Sequence, residues 1–218
     1  MSLCRGLPGE RQTDRQTDRH GTETNVYRPE GNLRCAAYSP CGRYYAWASP
    51  SSVTIVDPSV GNVVSSLSVE NVFELGFSPL GTYLITWQRP SKDANGDATK
   101  NLKVRRVIDN DGDEVVGQFV QKSQTGWNLQ YTPDETLCAR VVTNEVQFFQ
   151  SENLSSVWNK LRVEGVADFA LSPGRNQSIA VFIPERKVFF TPHHFLYIAH
   201  AVANLPNLSG TTCVGQGV

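Results

Sequence analysis

From Leu33 onward, apolar and polar positions alternate with period two, and one arrangement of them is written four times. The copies are CAAYSPCGRYYAWAS from Cys35, ELGFSPLGTYLITWQ from Glu74, NLQYTPDETLCARVV from Asn128 and DFALSPGRNQSIAVF from Asp168. In each, an alternating run ends at Ser-Pro or Thr-Pro, a short polar turn follows, and a second run rich in aromatic and β-branched residues comes after it. That order predicts a β-hairpin four times over. Proline closes the first strand because it offers no amide hydrogen and fixes its own φ. Gly42 and Gly81 supply a permissive backbone to the first two turns; Asp134 and Glu135 take that place in the third, and Gly174 directly follows the proline in the fourth.

The residue before each Ser/Thr-Pro is Tyr38, Phe77, Tyr131 or Leu171, and the residue two earlier is Ala36, Leu75, Leu129 or Phe169. Period two sets each pair on one face of its strand, turned toward a neighbouring sheet. Third strands are predicted at 53–56, 104–108, 146–149 and 188–190, and fourth strands at 63–67, 115–120 and 157–163. Ser39, Ser78, Thr132 and Ser172 stand 39, 54 and 40 residues apart, and the long interval holds the polar insert SKDANGDATKN at 91–101. Without that insert the period is near forty. A repeat of about 40–45 residues with four short strands is the signature of a propeller blade. The expected fold is therefore all-β: a WD40-like β-propeller, incomplete, with about three and a half blades over residues 26–190.

The flanks differ. Residues 1–25 are polar, with RQTD in tandem at Arg11 and Arg15, and hold too few apolar side chains to offset the entropy of ordering, so they are expected to be disordered. Residues 191–218 form an atypical tail expected to be poorly ordered. At 218 residues, 39% hydrophobic and 19% charged, the composition is that of a soluble globular protein, and a net charge of −1 gives no global attraction to polyanions. Five cysteines without a C-x-x-C pair read as free thiols of a reducing, cytoplasmic compartment. No run approaches the roughly 20 apolar residues of a membrane helix.

The wording of the repeats carries more than their period. RPEGNLRCAAYSPCGRYYAWAS, ENVFELGFSPLGTYLITWQRPSKDANGDATKNLKV, VQKSQTGWNLQYTPDETLCARVVTNEVQFF and VWNKLRVEGVADFALSPGRNQSIAVFIPERK closely resemble the N-terminal WD-repeat region of the eukaryotic translation initiation factor 2A family, in a fungal-like form. The resemblance covers residues 28–187, with TWQRPSKD, QKSQTGWN, NEVQFF and ALSPG as its specific phrases. It implies a longer propeller of about nine blades followed by a charged helical tail. The run VFFTPHHFLYIAHAVANLPNLSGTTCVGQGV departs from that continuation, which suggests a truncated product. Three and a half blades of an open ring expose outer faces, so aggregation or degradation of such a chain is expected.

Among residues that could carry chemistry, His193, His194, His200 and Cys213 lack a customary zinc spacing. The echo of a glycosidase box in SPCGRYYAW and SPLGTYLITW has Cys41 and Leu80 where that box has aspartate, and no paired carboxylates, nucleophile elbow or glycine-rich phosphate loop is present. The expectation is a chain that is not an enzyme and needs no metal or cofactor. An RNA-facing surface is the remaining candidate, from Lys100, Lys103, Arg105, Arg106, Lys122, Lys160 and Arg162, with Trp127 beside them. Scattered basic residues on a β-protein also serve solvation, and Asp109, Asp111, Asp113 and Glu114 lie close by. The resemblance implies delivery of initiator methionyl-tRNA to the small ribosomal subunit without GTP hydrolysis. Its implied partners are that subunit, the initiator tRNA, mRNA and other initiation factors. A WD-repeat scaffold for protein partners is the alternative from another class.

Overall fold

The structure, a computed structural model, describes residues 14–17, 23–26, 32–107, 113–172, 178–183 and 203–204 of the chain. All regular structure among these residues is β. Within the polar N-terminal segment, β1 (Asp14–Thr17) pairs antiparallel with β2 (Glu23–Val26). The repeats then form three four-stranded meanders. The first is β3 (Cys35–Tyr38), β4 (Tyr45–Ala48), β5 (Val53–Asp57) and β6 (Asn62–Leu67); the second is β7 (Val72–Phe77), β8 (Tyr83–Gln88), β9 (Leu102–Arg106) and β10 (Glu114–Phe119). The third is β11 (Gln130–Tyr131), β12 (Leu137–Val142), β13 (Glu145–Gln150) and β14 (Asn159–Arg162). A fourth sheet has β15 (Asp168–Leu171), β16 (Ser178–Phe182) and β17 (Ala203–Asn204). Its third strand comes from the tail; the one expected at 188–190 lies outside the described residues.

The sheets stack face to face, with β3 beside β7 and β11 beside β15, so the first strands of successive sheets lie together. Each interface is an apolar cluster fed by alternate residues. Leu84 points into the first cluster with Ile55 and Phe77, while its neighbours Tyr83 and Ile85 point into the second with Tyr131 and Phe149. Phe149 faces the second sheet and Phe148 the fourth, where it meets Ile179 and Val181. A sheet covered on both faces buries both phases of the period-two pattern, and this is why β8 is buried over five consecutive residues, from Tyr83 to Trp87.

The expected inward pairs are buried in the second and third copies, at Leu75 with Phe77 and Leu129 with Tyr131. In the fourth, Phe169 is buried and Leu171 packs against the same cluster. The first copy differs: Ala36 is exposed and Tyr38 is 62% exposed. The buried pairs each pack on a preceding four-stranded sheet, whereas Ala36 and Tyr38 belong to the first of these sheets. Tyr38 instead packs on Tyr45 in a tilted pair, 4.6 Å between ring centroids, and Tyr45 leans on Trp47.

The Ser/Thr-Pro turns have a role that proline alone does not explain. The buried hydroxyls of Ser39, Ser78 and Thr132 accept the amides of Tyr44, Tyr83 and Leu137 at 2.9, 2.9 and 3.1 Å. Each hydroxyl thereby closes its turn from inside. Gly42, Gly81 and Glu135 occupy the equivalent position, with φ of 75°, 81° and 55°. Left-handed backbone costs a non-glycine residue roughly 1–2 kcal/mol. Glu135 gains a compensating bond: its Oε1 accepts the Leu80 amide at 2.6 Å, while the Leu80 carbonyl accepts the Cys41 thiol at 3.2 Å. Three successive turns are thus joined through Leu80.

Candidate nucleic-acid interface

The strand directions divide every sheet into two ends. One carries the Ser/Thr-Pro turns; the other carries the start of each first strand, the end of each second strand and the insert at 91–101, and is called here the insert end. The insert is an ordered extension of the β8–β9 hairpin. Lys92 pairs with Ala98, the Thr99 amide donates to the Ser91 carbonyl at 2.9 Å, and Gly96 turns the chain at φ 87°. Asp93 Oδ1 accepts the amides of Asn95 and Asp97, both at 2.9 Å, so this aspartate folds the tip.

Asn101 anchors the base of the insert. It is 2% exposed; its Nδ2 donates to the carbonyls of Gln88 and Gln121 at 2.7 and 2.8 Å, and its Oδ1 accepts the Gln121 amide at 2.8 Å. One side chain therefore ties the end of β8 to the segment that follows β10. Trp87 adds a second tie, donating from Nε1 to the Gln121 carbonyl at 3.2 Å.

The seven basic residues expected to face RNA are not gathered into one patch. Lys100, exposed, and Lys103, half-buried, flank the start of β9, and exposed Lys122 follows β10; all three lie toward the insert end of the second sheet. Lys160 and Arg162 are exposed on β14, the edge strand of the third sheet. Arg105 and Arg106 lie toward the opposite end. Arg105 is 3% exposed, with Nε on Asp113 at 2.7 Å and Nη1 on the Thr86 hydroxyl at 2.9 Å. Arg106 pairs with Glu114 at 3.2 Å and stacks over Tyr83. Arg105 is spent inside the fold because β9 is covered on both faces, so even its polar phase is enclosed. Trp127 is half-buried and packs on the second apolar cluster.

The insert end also holds a group that the sequence reading passed over. Arg34, just before β3, and Arg89, just after β8, both pack their guanidinium groups on the Phe73 ring, at 4.9 and 4.2 Å from its centroid. They border a cavity of about 530 Å³ that reaches Glu70, Asn71, Ser91 and Asn101. The signal was positional: residues that flank strand ends of neighbouring sheets meet once the register is known. Local sequence pattern does not specify that register.

Of the three described thiols, Cys35 and Cys138 are not poised for nucleophilic chemistry. Burial, reinforced by Glu74, pushes the Cys35 thiol up to about 11, and burial pushes the Cys138 thiol up to about 12, so both stay protonated at neutral pH. Among the described residues no group of three histidine, cysteine, aspartate or glutamate side chains is placed to hold a metal ion. His193, His194, His200 and Cys213 lie outside them. No described helix is long and apolar enough to cross a membrane.

No family model matches the chain. Curated proteins do. It is 52% identical over 155 residues to "Eukaryotic translation initiation factor 2A" of Schizosaccharomyces pombe, a match covering 71% of this chain and 26% of that protein. The proteins of the same description from Dictyostelium discoideum and Saccharomyces cerevisiae are 30% and 27% identical, over 72% and 68% of this chain and 26% of each. A solved structure described as "Crystal structure of the eukaryotic initiation factor" superposes with a TM-score of 0.72 at 44% identity, over 85% of this chain and 44% of that one. The chain thus spans about a quarter of the length of the curated relatives it matches. The shared repeats and the shared β-propeller sheets agree, and through them the chain belongs to the eukaryotic translation initiation factor 2A family.

Proposed function

We propose that the chain serves translation initiation as a non-catalytic, cytoplasmic binding module that helps deliver initiator methionyl-tRNA to the small ribosomal subunit without GTP hydrolysis. The relatives' shared description as an initiation factor supports the role. One structural observation supports the mode of binding: Arg34, Arg89, Lys100 and Lys122 stand exposed toward the insert end of the first two sheets. None of the four forms an ion pair among the described residues. Acidic groups nearby are partly occupied, Asp93 by its own loop amides and Glu74 by the Gln124 side chain. Of the basic groups at the opposite end, Arg105 and Arg106 are neutralised by Asp113 and Glu114, while the exposed Arg43 of the first Ser-Pro turn packs over Tyr44. The gathering of Arg34, Arg89, Lys100 and Lys122 toward the insert end favours phosphate contacts there.

Cosedimentation of the chain with purified small ribosomal subunits over a salt series tests this reading. Four phosphate contacts to single-stranded RNA predict that the logarithm of the binding constant falls with the logarithm of salt at a slope of about −3. Binding that ignores salt, or that persists on ribosomal proteins freed of RNA, would move the assignment to a protein scaffold.

A further inference from the structure

We propose that the cavity between the first two sheets, bounded by Arg34, Phe73 and Arg89, is a binding site for single-stranded RNA, taking a phosphodiester and its adjoining base. The inference rests on the reading of the chain as an RNA-contacting factor and adds the place and chemistry of one contact. Both guanidinium groups lie over the Phe73 ring, and both residues are exposed. Neither forms an ion pair among the described residues. Stacking leaves the N–H edges of an arginine free, and that edge matches two phosphate oxygens at once.

Much of the surrounding wall is committed to internal bonds. The Gln88 side-chain amide donates to the Glu70 carbonyl, the Ser91 and Thr99 hydroxyls bond each other at 2.7 Å, and the Asn101 amide is fully used. Among the described residues of the wall, the side-chain donors left without an internal hydrogen bond are the two guanidinium groups and the amide of exposed Asn71. A volume of about 530 Å³ exceeds what a lone phosphate needs and falls in the range of small-molecule pockets, roughly 300–1,000 Å³. The extra room beside flat guanidinium faces suits a stacked base, which is how unpaired RNA is held elsewhere. An acidic peptide would supply charge without that flat face. Glu70 borders the cavity as the opposing charge, so removing it strengthens the site.

The test uses the full 218-residue chain and a fluorescein-labelled ten-nucleotide oligouridylate, with anisotropy as the readout. The double variant Arg34→Gln/Arg89→Gln is expected to bind about tenfold or more weakly, with a shallower salt slope by about 1–2. Glu70→Gln is expected to bind about two- to threefold more tightly, and Lys160→Gln/Arg162→Gln to change binding less than about twofold. Phe73→Leu keeps an apolar strand residue but removes the stacking ring, and is expected to lose a few-fold in affinity. Thermal melts check that each variant is folded. If wild type and the Arg34/Arg89 double variant bind the oligonucleotide alike, or if polyglutamate of equal charge displaces it as well as RNA does, the site assignment fails. Salt-dependent binding of small subunits that survives the double variant would overturn this site alone. Loss of subunit binding in the wild type would overturn the functional reading itself.

Discussion

Replacing Phe148 by alanine is expected to remove about 3–5 kcal/mol of stability. Phe148 is fully buried in β13, facing the fourth sheet across a cluster with Val146, Leu161, Ile179 and Val181. Truncation forfeits the transfer free energy of the ring and leaves a void that sheets held by their own ladders cannot close. A domain of this size has only about 5–15 kcal/mol in total, so the variant approaches the unfolding threshold. Urea titration followed by tryptophan fluorescence measures the loss. Tyr38→Ala is the matched control: its ring is 62% exposed, and the expected cost is within about 0.5 kcal/mol. Equal costs for the two variants would mean that the third and fourth sheets do not pack as described.

Asn101→Ala is expected to cost about 2–4 kcal/mol although it removes almost no apolar surface. The side chain makes three hydrogen bonds to buried or half-buried backbone, two to carbonyls and one from an amide. Deleting it removes the Asn101 bond from the Gln88 carbonyl and the Gln121 amide and leaves the Gln121 carbonyl only the Trp87 indole N–H, and each unsatisfied group costs about 1–3 kcal/mol where water cannot reach it, less where it can. The change also cuts the link between β8 and the segment after β10, so the insert loses its anchor. Amide hydrogen exchange should then accelerate across 89–101 more than across β8 itself. A variant as stable as wild type, with unchanged exchange in the insert, would show that the anchor is not needed.

These two residues mark what the sequence made legible and what it hid. Phe148 and Phe149 sit in an alternating run, and period two alone places them on opposite faces. The four hairpins, the forty-residue repeat and the inward pairs at Leu75 with Phe77 and Leu129 with Tyr131 follow from the same local rule. Asn101 looked like one more polar residue at the end of an insert, because its partners, Gln88 and Gln121, are set by strand register. Arg105 misled for a related reason: its strand is covered on both faces, and a cation there is enclosed and neutralised by Asp113. Glu135 stands where glycine serves in two other turns, and its bond to Leu80 crosses between sheets. Arg34 and Arg89 meet on Phe73 only across a sheet boundary. Contacts between sheets are long-range, and no local pattern announces them.

RNA is expected to meet the insert end, not the end with the Ser/Thr-Pro turns. Hydrogen–deuterium exchange of the full chain, alone and bound to small ribosomal subunits, tests it most directly. Added protection is expected at 89–101 and 121–127, with the turns at 39–44, 78–83 and 132–137 unchanged. Protection confined to those turns, with the insert exchanging as in the free chain, would contradict it.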